Sequence, residues 1–93
     1  MIRHIVFFSA ATEYIDPIVT DLSALANIPH ADHFEVRKSL KIDALSSEVD
    51  VVVYAEFASE AALHEFKQHP IYSEAVRRVR PYRQLRMAAD TAV

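Results

Sequence analysis

Two segments of the chain, Ile2 to Phe8 and Val49 to Phe57, are rich in β-branched and aromatic residues and predict β-strands. Side chains of a strand alternate between its two faces, and in both segments each alternating set is largely apolar. Both faces of these two strands must therefore be covered. A sheet with one face in water does not meet this requirement, so the rest of the chain or a second copy must cover each side.

The remaining elements are predicted from hydrophobic periodicity, helix-capping residues and proline positions. The prolines and the predicted caps Asp16 and Ser59 lie at element boundaries, where the spacing of apolar residues changes, as from that of a strand to that of a helix. The predicted elements are a helix that Asp16 caps and that runs from Pro17 to about Asn27, a strand from His33 to Leu40, a helix that Ser59 caps and that His69-Pro70 ends near Gln68, a helical stretch from Ser73 to Arg80, and a strand from Arg83 to Ala89.

The resulting order β-α-β-β-α-β is that of the ferredoxin-like α+β fold, one antiparallel four-stranded sheet with both helices on one face. The helices can cover only that face. The opposite face would leave an apolar patch on the order of several hundred Å², more than monomers usually expose. We therefore expect a homodimer in which two sheets pack together about a two-fold axis.

Length and composition restrict the class of protein further. Ninety-three residues with 52% apolar content fit a single domain spanning residues 1–93. The net charge of -3 argues against nucleic acid as a partner. The tightest basic group follows Glu74 and is interpreted as a solvated or ion-paired face; it consists of Arg77, Arg78, Arg80, Arg83 and Arg86.

Several kinds of site are excluded by residues that the sequence lacks. Without cysteine there is no disulfide, thiol nucleophile or thiolate metal site, and without glycine there is no Gly-rich phosphate loop. His30 and His33 have a ligand-like spacing but no evident third ligand, so we expect no metal and no cofactor. No apolar run reaches the length of a signal peptide or membrane span, so we expect no membrane partner and a cytoplasmic location.

Three stretches together resemble the stress-responsive dimeric α/β-barrel (Dabb) domain. They are the opening Met1-Ile2-Arg3-His4-Ile5-Val6, the strand Val52-Val53-Tyr54-Ala55-Glu56-Phe57, and Ala61-Ala62-Leu63-His64-Glu65-Phe66-Lys67-Gln68-His69-Pro70. The resemblance covers nearly the whole chain. It implies a ferredoxin-like protomer whose sheet joins that of a partner to form a dimeric barrel, in agreement with the two-faced strands.

Some members of that family are polyketide cyclases, so the resemblance also implies positions to inspect. A histidine on the first strand of the cyclases lines a cavity between sheet and helices, and His4 matches it. The second cavity histidine, on the third strand, corresponds to Val51, and a tyrosine of the second helix corresponds to Phe66. The catalytic histidine that follows the His-Pro pair corresponds to Tyr72. Three of four positions differ, so we expect no cyclisation of the linear polyketides that the cyclases use.

His4 and Tyr72 remain the candidate acid/base pair, with Val6, Val51, Phe66 and His69 as candidate ligand contacts. Each also has a structural interpretation. His4 would be hydrogen-bonded within the core, His69 would end a helix, and Tyr72 would be a core aromatic residue with a solvated hydroxyl.

Two hypotheses for function follow. In the first, the protein is a non-catalytic or ligand-binding dimer whose apolar cavity takes a small apolar or aromatic molecule. In the second, it is a cofactor-independent enzyme, a cyclase or an oxygenase, that uses His4 and Tyr72 as acid and base. A deep pocket joining His4 to Tyr72 would favour the second hypothesis, and a filled core around His4 the first.

Overall fold

The computed structural model describes all 93 residues and contains four strands and three α-helices. All neighbouring strands pair antiparallel, in the order β2-β3-β1-β4, which confirms the predicted ferredoxin-like protomer. None of the helices is long and apolar enough to cross a membrane. The elements are β1 (Ile2–Ala10), α1 (Thr12–Ser23) followed by a 3₁₀ turn (Ala24–Asn27), β2 (His33–Lys38), β3 (Val51–Phe57), α2 (Glu60–Gln68), α3 (Pro70–Val79) and β4 (Arg83–Ala92).

The two faces of the sheet differ in what covers them. Along β1 the side chains of His4, Val6 and Phe8 are buried beneath the helices, and Val6 and Phe8 belong to one core cluster with Val53 and Phe66. The alternate side chains face away from the helices. On that face Phe7 is 39% exposed and Met87, its register partner on β4, is 58% exposed. The single chain thus leaves the predicted apolar face uncovered.

Helix α1 begins earlier than the sequence predicts and contains Pro17 rather than starting at it. Ala11 occupies the N-cap without a side-chain hydrogen bond, and Asp16 forms an ion pair with Lys38 at 2.6 Å. Ile15 packs against the core from the turn that precedes the proline. The packing of Ile15 offsets the loss of the backbone hydrogen bond that Pro17, without an N–H, cannot donate.

The predicted Ser59 cap of α2 is confirmed, because its Oγ accepts a hydrogen bond from the Ala62 N–H at 3.2 Å. Helix α3 starts at Pro70, three residues before the predicted Ser73. His69 caps it through Nδ1, which accepts from the Ile71 N–H at 3.1 Å. Proline has no N–H, and the N–H groups of a helix's first turn have no partner within the helix. Pro70 can therefore follow the end of α2 and start α3.

Strand β4 continues to Ala92, past the predicted end at Ala89, and stays paired with β1 up to Ile2. The loop from β2 to β3 contains Lys41, whose φ of 55° is the only positive value in a chain without glycine. Its ammonium group bonds to Asp50 at 2.7 Å and to the Ser47 carbonyl at 2.6 Å. These contacts hold a backbone conformation that residues other than glycine adopt at a cost.

Candidate functional site

A cavity of about 40 Å³ lies between the sheet and the helices, and the open space at its mouth extends the region to about 460 Å³. Buried apolar side chains from β1, β3 and the helices make up most of its walls, and the exposed lining residues Arg80 and Arg86 mark its open side. The lining consists of His4, Val6, Phe8, Leu22, Leu25, Phe34, Val53, Phe66, Tyr72, Val76, Val79, Arg80, Arg83 and Arg86.

His4 is the buried polar residue of this cavity and is only 3% exposed. It lies on β1 directly opposite Asp90 on β4, and its Nδ1 is 2.6 Å from Asp90 Oδ1. A carboxylate oxygen accepts hydrogen bonds, so Nδ1 carries the proton of the neutral ring and Nε2 carries the lone pair. Nε2 makes no hydrogen bond within the chain, and His4 is one of the residues that line the cavity.

Burial lowers the pKa of His4 below its ordinary value, because the charged imidazolium loses its hydration. The hydrogen bond and the charge of Asp90 act in the opposite direction, and the positive charges of Lys67 and Arg86 add to the lowering. The net direction is downward, so His4 is neutral at pH 7. A neutral imidazole with a fixed tautomer and a free Nε2 can accept a proton from a bound molecule.

Tyr72 reaches the same cavity from α3, and its hydroxyl forms no hydrogen bond within the chain. Its ring packs edge-to-face against Phe66, with centroids 5.7 Å apart. Phe66 in turn packs against Phe57 at 5.1 Å and Phe34 at 6.0 Å. This aromatic cluster fixes the position of Tyr72 and leaves the phenol free to donate to a bound molecule.

Four of the six predicted site residues, His4, Val6, Phe66 and Tyr72, line this one cavity. Val51 does not: it is fully buried near the start of β3, and Val53, the register partner of Val6, occupies the lining position instead. His69 also lies outside the lining, where it caps α3 with its ring 6.2 Å from that of His30.

His30 and His33 have separate partners, since His33 Nε2 lies 2.8 Å from Glu35 and His30 Nε2 lies 3.5 Å from Glu65. The structure contains no group of three or more His, Asp or Glu side chains placed to hold a metal ion. Asp90 is the site residue that the sequence prediction missed, because the predicted β4 ended one residue before it. Extending the predicted β4 by one residue would have placed an acidic side chain opposite His4 and identified the pair.

The sequence from residue 2 to residue 93 matches the family model described as the stress responsive A/B barrel domain. A search of curated proteins finds no significant match. Among solved structures, a dimeric ferredoxin-like protein of unknown function from Thermobifida fusca is 26% identical over 99% of this chain and 90% of its own, with a TM-score of 0.83. A Dabb family protein from Mesorhizobium loti is 24% identical over 99% of this chain and 95% of its own, with a TM-score of 0.83.

A hydroxynitrile lyase from Passiflora edulis has the same fold, with 22% identity over 99% of this chain and 92% of its own, and a TM-score of 0.80. The resemblance in β1, β3 and α2 is thus confirmed by a match that spans nearly the whole chain. This chain belongs to the stress responsive A/B barrel domain family.

Proposed function

We propose that the protein is a homodimer that binds a small, largely apolar or aromatic molecule in the cavity beside His4. The observation that carries this proposal is the unpaired Nε2 of His4 in a mostly apolar lining that has three arginines at its open side. Pockets of this kind, apolar with a few fixed polar groups, are typical of small-molecule sites.

Two observations support the homodimer. The sheet face opposite the helices carries Ile5, Phe7 and Met87 without any covering element. The Thermobifida fusca protein of the same fold is described as dimeric. A second copy covering this face would bury the apolar surface that a monomer would expose to water.

Binding can be tested with a set of small aromatic and aliphatic molecules in a thermal-shift measurement. A molecule present at about 100 times its Kd should stabilise the protein by about 2.7 kcal/mol. Val76→Phe, which places a larger side chain in the cavity from α3, should abolish that shift. Ala61→Phe, on the exposed side of α2, is the matched control. The proposal fails if no molecule stabilises the protein, or if stabilisation is equal in both variants.

A second candidate, a cofactor-independent enzyme that moves a proton, is favoured by the hydrogen bond between His4 and Asp90. Nε2 would remove a proton from a carbon next to a carbonyl group, and Asp90 would stabilise the imidazolium that forms. The Tyr72 phenol would donate a hydrogen bond to the developing enolate oxygen. The lyase from Passiflora edulis supports the compatibility of this fold with catalysis.

Proton removal can be followed without knowing the physiological product. Ketones and β-keto esters that bind in the thermal-shift test would be incubated in D₂O, and exchange of their α-protons followed by NMR. Exchange should require His4 and fall in His4→Gln, while Tyr72→Phe should slow it by roughly 10²-fold or more. Binding without exchange above the buffer rate would reject the enzymatic candidate and leave the binding proposal in place.

A further inference from the structure

Three arginines gather at the open side of the cavity without a carboxylate partner. Arg80 follows the end of α3, and Arg83 and Arg86 lie on β4. None of the three takes part in an ion pair, whereas Arg77 and Arg78 both bond to Glu74. Arg77 and Arg78 are the ion-paired part of the predicted basic face, and the other three arginines, of which Arg80 and Arg86 are exposed, form a separate cluster at the cavity.

These guanidinium groups are close enough to affect one another. Partial burial lowers the pKa of Arg83, and the positive charges of Arg86 and Arg80 lower it further. Asp90, the carboxylate beside the cavity, bonds to His4 and makes no ion pair with these arginines. The chain carries a net charge of -3, so an unpaired cationic cluster is not a consequence of its composition. Three positive charges held together without an ion-pair partner favour the binding of an anion.

The cavity has an apolar interior and a cationic opening, which suit a ligand with an apolar body and an anionic group. Apolar side chains such as Phe8, Val53 and Val79 line the interior, and the arginines lie at its open side. This inference rests on the cavity binding proposed above. We propose that the bound molecule is an organic carboxylate. Its aromatic or aliphatic body occupies the apolar interior, and its carboxylate contacts Arg83 and Arg86. Guanidinium groups suit this role because their paired N–H donors match the two oxygens of a carboxylate.

The test compares molecules that differ only in the anionic group. Binding of 3-phenylpropanoate and octanoate would be measured by calorimetry beside that of the corresponding alcohols, 3-phenylpropan-1-ol and octan-1-ol. We expect each carboxylate to bind about tenfold or more tightly than its alcohol, since a charged hydrogen bond is made only by the carboxylate. This ratio should fall at about 1 M NaCl, where charges are screened.

Arg83→Gln and Arg86→Gln should each reduce the preference for the carboxylate and leave the alcohol's affinity nearly unchanged. Arg78→Gln removes the same charge from α3 outside the cavity and should preserve the preference. Arg80→Gln, at an exposed position, provides a further variant if the β4 substitutions impair folding, which circular dichroism would reveal.

Each outcome separates this inference from the binding proposal. If the alcohols bind and the carboxylates bind no more tightly, the inference is wrong and the cavity proposal stands. A preference that persists in Arg83→Gln combined with Arg86→Gln would place the carboxylate elsewhere and also overturn the inference. If no carboxylate or alcohol binds, while neutral molecules from the thermal-shift set do, the inference again fails alone; if nothing binds, both fail.

Discussion

His4 Nδ1 and Asp90 Oδ1 are 2.6 Å apart, and this contact joins β1 to β4 across 86 residues of sequence. The bond selects the tautomer of a nearly inaccessible imidazole that lines the cavity, and it leaves the lone pair on Nε2. The burial that lowers the pKa of His4 and the carboxylate that raises it act on the same ring. Their balance can be measured.

Asp90→Asn should lower the pKa of His4 further, because the variant removes the negative charge that favours the imidazolium. A pH titration of the histidine Cε1–H resonances by NMR measures this pKa, with the His4 signal assigned from its loss in His4→Gln. Asp32→Asn, an exposed substitution without contact to His4, should leave it unchanged. A rise in the pKa of His4 in Asp90→Asn would contradict the assigned role of the carboxylate.

The lowered pKa of His4 also predicts how stability depends on pH. Between its ordinary pKa of 6.5 and its lower value in the folded state, the unfolded chain binds more protons. The contribution of His4 to the free energy of unfolding is therefore completely present above pH 6.5 and decreases as pH falls through that window. Urea unfolding between neutral pH and about pH 5 should show the decrease, and His4→Gln should reduce its slope. Equal slopes in the two proteins would show that other groups cause the dependence.

The strands and the order of elements were predictable because their signals are local. Alternation and β-branched residues identify β1 and β3, and Ser59 identifies the start of α2. The start of α1 was not predictable in this way. Asp16-Pro17 has the local features of a helix start, but packing of Ile15 against the core extends the helix to Thr12.

The candidate site depends on pairings between distant strands, which a local pattern does not contain. Val51 and Val53 lie opposite Phe8 and Val6 on the same face of the sheet, but the surrounding core encloses Val51 completely and leaves only Val53 in the cavity wall. Asp90 meets His4 because β4 stays paired with β1 beyond the weakly apolar residues at its end. Hydrophobic periodicity fades there, although the backbone hydrogen bonds continue.

Asp50 fastens the loop between β2 and β3 to the end of β1, since its carboxylate accepts from the Ala10 N–H at 3.0 Å and pairs with Lys41 at 2.7 Å. Burial alone would raise the pKa of Asp50, but these hydrogen bonds outweigh it and lower the pKa. The contribution to stability is thus present above the ordinary carboxyl pKa of 3.8 and is lost as pH falls through the lower folded value.

Asp50→Ala should destabilise the protein by about 1–3 kcal/mol, because it leaves the Ala10 N–H without its acceptor. Asp50→Asn keeps an oxygen that can accept from Ala10 and should cost less. Chemical unfolding at neutral pH compares the two variants. Equal losses in both would mean that the ion pair with Lys41, rather than the bond to Ala10, provides the stabilisation.

The dimer is tested on the sheet face that the helices leave uncovered, where Phe7 on β1 lies in register with Met87 on β4. We expect the wild-type protein to be dimeric at micromolar concentration by light scattering. Phe7→Lys would place an ammonium group from each copy in the apolar contact, and an unpaired buried charge costs several kcal/mol. The variant should therefore be monomeric, or its free energy of unfolding should decrease as the protein is diluted. Ala61→Lys adds the same charge on the exposed side of α2 and should stay dimeric. A wild-type protein that is a stable monomer, or a Phe7→Lys variant as dimeric as Ala61→Lys, would show that this face does not join two copies.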